Sequence, residues 1–246
     1  GVREKNIYLT GYPLPLENIG TKNKEIIKED LKARLLNLDP TRWYLKQYKA
    51  LILNEVGKVS GKSLRPLTVL FSIGGAGAQK EIVISFLKGI KEQIKDQKIR
   101  IILSAGTRPD AVAYFLRRIE DIGLKKYANK NIEIIYEQSI DDFFAKFNQK
   151  LRETDILWTK PSELSFYAGL GIPIIIAPSV GSQEDLNKKW LLRMGAGILM
   201  ENPKYSGQWL FDYLNGGRLA EAAMEGFIEV EKMGVYNIKK ILSSNA

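Results

Sequence analysis

The feature that most constrains this chain is a strand–helix alternation repeated along most of its length, densest between Asp155 and Asn187. Asp155-Ile-Leu-Trp-Thr159 reads as a strand. Lys160-Pro161-Ser162-Glu163 then opens a helix that Gly171-Ile-Pro173 closes. Ile174-Ile-Ile-Ala177 reads as a second strand, and Gly181-Ser-Gln183-Glu184 opens the helix that follows. Strands joined through helices pair in parallel and carry helices on both faces. The expected fold class is therefore α/β, a doubly wound parallel sheet. Two helix N-termini fall at the carboxyl ends of neighbouring strands, where open α/β sheets bind ligands.

The same alternation extends in both directions. Leu67–Ile73 is the most apolar stretch and reads as a central strand buried on both faces. An amphipathic helix follows to about Lys95. Ile99–Ser104 with a helix from Pro109, and Ile132–Tyr136 with a helix from Asp141, are further units. Gly197–Met200 is a last short strand, and the tail from Tyr205 reads as helices broken around Asn215-Gly-Gly217 and near Gly234. Toward the start, Asn6–Thr10 alternates like a strand and runs into the turn-rich Gly11-Tyr12-Pro13, and Thr21–Leu38 has helical spacing ended by Asp39-Pro40. No linker divides the chain. Residues 1–246 are expected to form one domain with a helical insertion over 41–65, where a basic, aromatic helix precedes a polar loop from Gly57 to Arg65. That helix reads either as a membrane-surface or partner-docking element or as an insertion packed on the domain.

Two absences narrow the chemistry. The 246 residues contain no cysteine, which removes thiol catalysis and thiolate metal sites, and no histidine, which removes Ser-His-Asp triads, histidine bases and histidine metal sites. No metal site is expected. The formal charge of +9 favours anionic partners such as phosphates or an acidic membrane surface. Basic residues are spread along the chain and no RNA-binding motif appears, so no specific nucleic-acid partner is expected. No run of 18 apolar residues occurs. The opening Gly1-Val2-Arg3 has neither an initiator Met nor a signal-peptide core and reads as the start of a cut fragment.

Gly74-Gly75-Ala76-Gly77 lies after a buried strand and before a helix, as a phosphate-binding turn requires. Glycine lets backbone approach the ligand, and free N–H groups with the helix dipole attract negative charge. It is neither the spaced GxGxxG of dinucleotide folds nor a Walker loop, so NAD and ATP-hydrolase chemistry are set aside.

Ile73-Gly-Gly-Ala-Gly-Ala78, Ser139-Ile140-Asp141-Asp142-Phe143, Thr159-Lys160, Gly171-Ile-Pro173 and Gln183-Glu184-x-x-Asn187 occur in one order. Together with Thr10-Gly11-Tyr12-Pro13 they resemble the C-terminal half of a GT-B glycosyltransferase. The likeness is to the group holding the peptidoglycan lipid-intermediate N-acetylglucosaminyltransferase and the diacylglycerol glycosyltransferases. The resemblance implies a Rossmann-like sheet with C-terminal helices that binds the donor, a UDP-sugar, as substrate, with no further cofactor. It implies hexosyl transfer to an acceptor that can be lipid-linked, in the cytoplasm or on the inner face of the membrane. It also implies a partner N-terminal acceptor-binding half that supplies the general base and is absent here, so no catalytic residue is assigned and this piece alone is expected to be inactive.

Carried over motif by motif, Gly74, Gly75, Ala76 and Gly77 face the donor diphosphate. The backbone at Ile140 meets the uracil edge, the helix start at Pro161-Ser162 offers N–H groups to phosphate, and Gln183 and Asn187, one helical turn apart, hold sugar hydroxyls. Glu184 is either a first-turn dipole partner or a sugar contact. The chain departs from the pattern where the group carries a ribose-binding Glu seven residues before the proline of Gly-x-Pro, since Phe166 stands there. Glu163, one turn earlier, is the candidate substitute. The histidine before the Gln-x-x-x-Asn helix and the Arg after Gly11-Tyr-Pro13 are missing too. These departures leave a second reading open, a glycosyltransferase-shaped binding or scaffold module without catalysis.

Overall fold

In the computed structural model, which describes residues 2–72 and 79–244, six strands form one all-parallel sheet in the order β3-β2-β1-β4-β5-β6. They are β1 (Leu67–Ser72), β2 (Ile99–Gly106), β3 (Ile132–Tyr136), β4 (Ile156–Thr159), β5 (Ile174–Ile176) and β6 (Gly197–Leu199). The expected doubly wound sheet is present. Strand order reverses between β1 and β4, so the crevice for a ligand lies above their carboxyl ends. All six residues of β1 are buried, as befits a strand covered on both faces.

Helices α1 (Leu16–Ile19) and α2 (Glu25–Leu38) precede α3 (Trp43–Gln47) and α4 (Lys49–Glu55). Between the strands run α5 (Lys80–Gly89), α6 (Lys91–Lys95), α7 (Pro109–Asp121), α8 (Ile140–Glu153) and α9 (Ser182–Arg193). The tail is α10 (Ser206–Asn215), α11 (Arg218–Glu229) and α12 (Gly234–Ser244), broken at the two glycine sites where the sequence predicts it.

Two expectations fail. Asn6–Thr10 joins no strand: Asn6 ends a short 3-10 turn, and Ile7, Tyr8 and Leu9 are exposed. Alternation alone does not make a strand when no sheet edge is there to receive it. The segment after β4 is a 3-10 helix, Glu163–Leu170, and not an α-helix opening at Pro161. It packs closely on α11, where a Cβ on Gly226 would lie 2.5 Å from the Ala168 carbonyl oxygen. It ends at Gly171, whose φ of +68° suits glycine.

Two buried ionic groups tie α2 to the sheet. Asp155, just before β4, is fully buried and accepts two bonds from the Arg65 guanidinium, 2.6 and 2.7 Å, and one each from Thr68 N–H and Asn37 Nδ2, both 2.8 Å. Burial pushes its carboxyl up, while Arg65, the Thr68 N–H and Arg34 draw it back. Arg34 of α2, also buried, donates to the carbonyls of Thr154 at 2.7 Å, Leu170 at 2.9 Å and Gly171 at 3.1 Å. One side chain thus satisfies the carbonyls left over at the ends of α8 and of the 3-10 helix. Burial pulls Arg34 down to about 10, so it stays charged at neutral pH.

Arg34→Met, which keeps the bulk and removes the donors, is expected to lower unfolding free energy by roughly 3 kcal/mol in urea melts, with Arg34→Lys recovering only part of it.

Candidate functional site

Two clefts open side by side at the carboxyl edge of the sheet. The first, of about 290 Å³, is floored by Ser72 of β1 and Ser104–Gly106 of β2 and walled by Ile140, Phe143, Phe144 and Phe147 of α8. Arg108, at the start of α7, and Glu163 also line it. Its wall is apolar because Phe143 and Phe147, one turn apart, face the sheet in a helix whose first turn is fixed by a cap. Ser139 Oγ accepts from Asp142 N–H at 3.1 Å and donates to its carboxylate at 2.6 Å. An apolar cleft with a few polar groups at its rim suits a flat, partly polar ligand group.

The second cleft, of about 180 Å³, is lined by Lys160, Ser162, Glu163, Phe166, Gln183, Glu184 and Asn187. It brings together five of the residues singled out in sequence: Ser162, Glu163, Gln183, Glu184 and Asn187. Glu163 lines both clefts and is exposed between them. Pro161 is buried beneath, and its carbonyl accepts from Asn187 Nδ2 at 3.1 Å, clipping α9 to the 3-10 helix. Gln183 is exposed at the mouth. Gly74–Gly77 falls outside the described residues. On its far side Gln79, with a φ of +72°, donates to the Pro178 carbonyl at 2.6 Å and joins the start of α5 to the β5–α9 loop.

Glu184 carries the electrostatics of the second cleft. Its carboxylate accepts from Lys160 Nζ and, at 2.7 Å, from Val180 N–H. Burial alone would raise its pKa, yet Lys160 and the N–H groups of Val180 and Gly181 outweigh that and hold the carboxyl below the ordinary glutamate range. Glu184 is therefore an ionised partner of the α9 N-terminus and of Lys160. The 3-10 helix presents a weaker anion site than an α-helix would. Ser162 N–H is already committed to the Lys160 carbonyl at 2.7 Å, and Ser165 N–H to the Ser162 carbonyl at 3.0 Å.

Phe166 is half-buried and stacks on Tyr12, centroids 3.8 Å apart and planes at 17°, while Trp190 of α9 meets both rings edge-on at 5.6 and 5.5 Å. The position that resembles a ribose carboxylate site is thus built into an aromatic trio. The trio fastens the Gly11-Tyr12-Pro13 loop to the cleft floor. Sequence reading missed the phenylalanine wall and left Lys160 outside the candidate site. The i, i+4 spacing of Phe143 and Phe147 was a usable signal, whereas the Lys160–Glu184 pairing spans 24 positions and had none.

The family profile described as "Domain of unknown function (DUF6938)" matches residues 58–241, well over half of the chain. The chain belongs to the DUF6938 family. No curated protein matches the sequence. Among solved structures, this DUF6938 chain is similar to a protein of Listeria monocytogenes assigned as a UDP-N-acetylglucosamine 2-epimerase, with a TM-score of 0.50 at 12% identity over 74% of this chain and 45% of that one. It is also similar to S. aureus MnaA in a co-structure with UDP (TM-score 0.49, 11% identity, 72% and 44% coverage) and to a glycosyltransferase from Rickettsia africae (0.44, 13%, 84% and 53%). The chain spans about half the length of these structures. At such identity the first likeness speaks to the fold, a Rossmann-like α/β unit of GT-B type.

The stacked pair gives a direct test of how the Gly11-Tyr12-Pro13 loop is held. In a double-mutant cycle of Tyr12→Ala and Phe166→Ala, read in urea melts, a coupling of about 1 kcal/mol is expected.

Proposed function

We propose that this DUF6938 chain binds a nucleotide-sugar, a UDP-sugar by its resemblance, as the donor half of a hexosyltransferase. The observation that carries the reading is the pair of clefts meeting at Glu163, above the point where strand order reverses. The base would lie against Phe143, Phe144 and Phe147 with its edge toward the backbone at Ile140. Glu163 would lie at the level of the ribose. The Gly74–Gly77 stretch, Ser162 and Lys160 would meet the diphosphate, and Gln183 and Asn187 the sugar hydroxyls. A fold neighbour assigned as a UDP-sugar epimerase agrees in ligand class.

In such a transfer the acceptor oxygen attacks the anomeric carbon, the bond from that carbon to the phosphate oxygen breaks, and the nucleoside diphosphate leaves with the electron pair. The acceptor's proton goes to a base that a separate acceptor-binding half would supply. The work left to this chain is to hold the donor and to stabilise the leaving diphosphate with N–H groups and Lys160. Transfer to a lipid-linked acceptor is part of the resemblance and of this proposal.

A second reading, a donor-shaped binding module without catalysis, is favoured by one set of contacts. Phe166 belongs to the aromatic trio, Glu184 to Lys160, and Asn187 to the Pro161 carbonyl.

Calorimetric titration with UDP, UDP-N-acetylglucosamine, UDP-glucose and UDP-galactose decides whether a donor is held. A dissociation constant of about 0.1–1 mM for at least one is expected, and a flat response to all four overturns the reading. Gln183→Ala is expected to weaken the UDP-sugar about 5-fold and to leave UDP unchanged, the loss of one neutral hydrogen bond. Equal loss for both ligands removes the sugar contact.

A further inference from the structure

The segment Arg42–Arg65 is not used by either cleft, and its composition is unlike the rest of the chain. Six cations (Arg42, Lys46, Lys49, Lys58, Lys62 and Arg65) stand against one carboxylate, Glu55. That balance of +5 is more than half of the formal +9 of the whole protein, held in 24 of 246 residues. Lysines are spread along the sequence, but here the acids that offset them elsewhere are missing.

Folding consumes two of these cations. Arg65 is spent on buried Asp155, and the Arg42 guanidinium donates to the Gly61 carbonyl, which closes the polar loop back onto the start of α3. Lys46, Lys49 and Lys58 are exposed, as is Lys62, and none of them has an ion-pair partner among the described residues. Glu55, the single acid, is half-buried and accepts from Asn54.

The same surface leaves large apolar side chains in water. Trp43 is 55% exposed, Leu53 57% and Leu64 fully, with Tyr48 and Leu51 more than a third exposed. Buried Tyr44 and Ile52 anchor α3 and α4 to the domain. By the helical repeat, Leu51 and Leu53 flank Ile52 on either side of α4. An apolar groove along α2, with Leu36 and Ala33 on one side and Lys62 and Leu64 on the other, continues the patch. Exposed aliphatic tips with an indole and a phenol, set among unpaired lysines, are the composition that seats at the boundary of an anionic bilayer.

We propose that the α3–α4 segment and its loop dock on the anionic headgroup region of a lipid membrane. Charge complementarity selects an acidic partner. The leucines select lipid over nucleic acid, which offers phosphates and base faces but no acyl boundary. The segment meets the core where Arg65 binds Asp155, at the amino end of β1 and β4. The clefts lie at the opposite end of the strands, about 20 Å away at 3.3 Å per residue. The docking segment is therefore separate from the clefts, and the proposal stands whether or not a nucleotide-sugar is bound there.

Co-sedimentation of the full chain tests this with vesicles of phosphatidylcholine alone and of about three parts phosphatidylcholine to one part phosphatidylglycerol. At least a tenfold preference for the acidic vesicles is expected, weakened by raising salt from about 0.1 to 0.5 M. The variant Lys46→Gln, Lys49→Gln, Lys58→Gln, Lys62→Gln is expected to lose roughly 100-fold in affinity. Leu53→Ser with Leu64→Ser, which leaves charge untouched, is expected to lose about tenfold. Circular dichroism melts check that both variants fold, and the unaltered chain decides alone if the lysine variant does not. Equal binding to both vesicle types overturns the proposal. So does lipid binding indifferent to the leucine pair, or a tighter association with single-stranded RNA that the lysine variant abolishes and the leucine pair leaves intact. Either of those marks a general polyanion surface.

Discussion

The buried carboxylate of Asp155 is the constraint on which the architecture turns. A bare carboxylate cannot be left in a sheet core, so it must gather donors. It takes them from three places: Arg65 at the end of the inserted segment, the backbone where β1 begins, and Asn37 on α2. Arg34 completes the arrangement from the same helix by gathering the carbonyls at the ends of α8 and the 3-10 helix. These few polar contacts tie β1, the approach to β4 and α2 together at the amino end of the sheet, opposite the edge on which both clefts open. Apolar packing around them supplies the bulk of the stability.

The sheet was legible because its strands are short apolar runs separated by helices of regular period. Leu67–Ser72 and Ile132–Tyr136 could hardly be read otherwise. Asn6–Thr10 misled because alternation records only a local tendency, whereas a strand needs an edge to pair with. The helix after Lys160 misled for a different reason. Its residues are compatible with α-helical winding, and the 3-10 helix packs closely against Gly226 of α11, more than fifty residues further along. Local sequence carries no record of a contact at that distance.

Legibility of the candidate site divides along the same line. Gln183, Glu184 and Asn187 are near neighbours on one helix and could be grouped from spacing. The aromatic trio of Tyr12, Phe166 and Trp190 joins three separate elements and emerges only in three dimensions. It also alters what the site can be. Where a carboxylate would present a formal charge to the cleft, Phe166, packed on Tyr12 and Trp190, presents an apolar floor. The Lys160–Glu184 pair supplies the rim with a cation and an anion that neutralise each other when no ligand is present. An incoming phosphate would compete with Glu184 for Lys160.

The hydrogen bonds that clasp the two ends of the chain have a kinetic consequence. Tyr12 N–H donates to the Glu231 carbonyl, Gly234 N–H to the Tyr12 carbonyl, Asn237 to the Thr10 carbonyl, and the Tyr236 hydroxyl to the Gly20 carbonyl. These contacts bridge more than two hundred residues, the costliest class of loop to close. During synthesis the sheet can assemble strand by strand, but the Gly11-Tyr12-Pro13 loop has no partner until the last helices emerge. Tyr12 stacks on Phe166, which lines the second cleft, so the support of that cleft waits on these long-range contacts. A nascent chain can therefore assemble its sheet before the floor of the second cleft is braced.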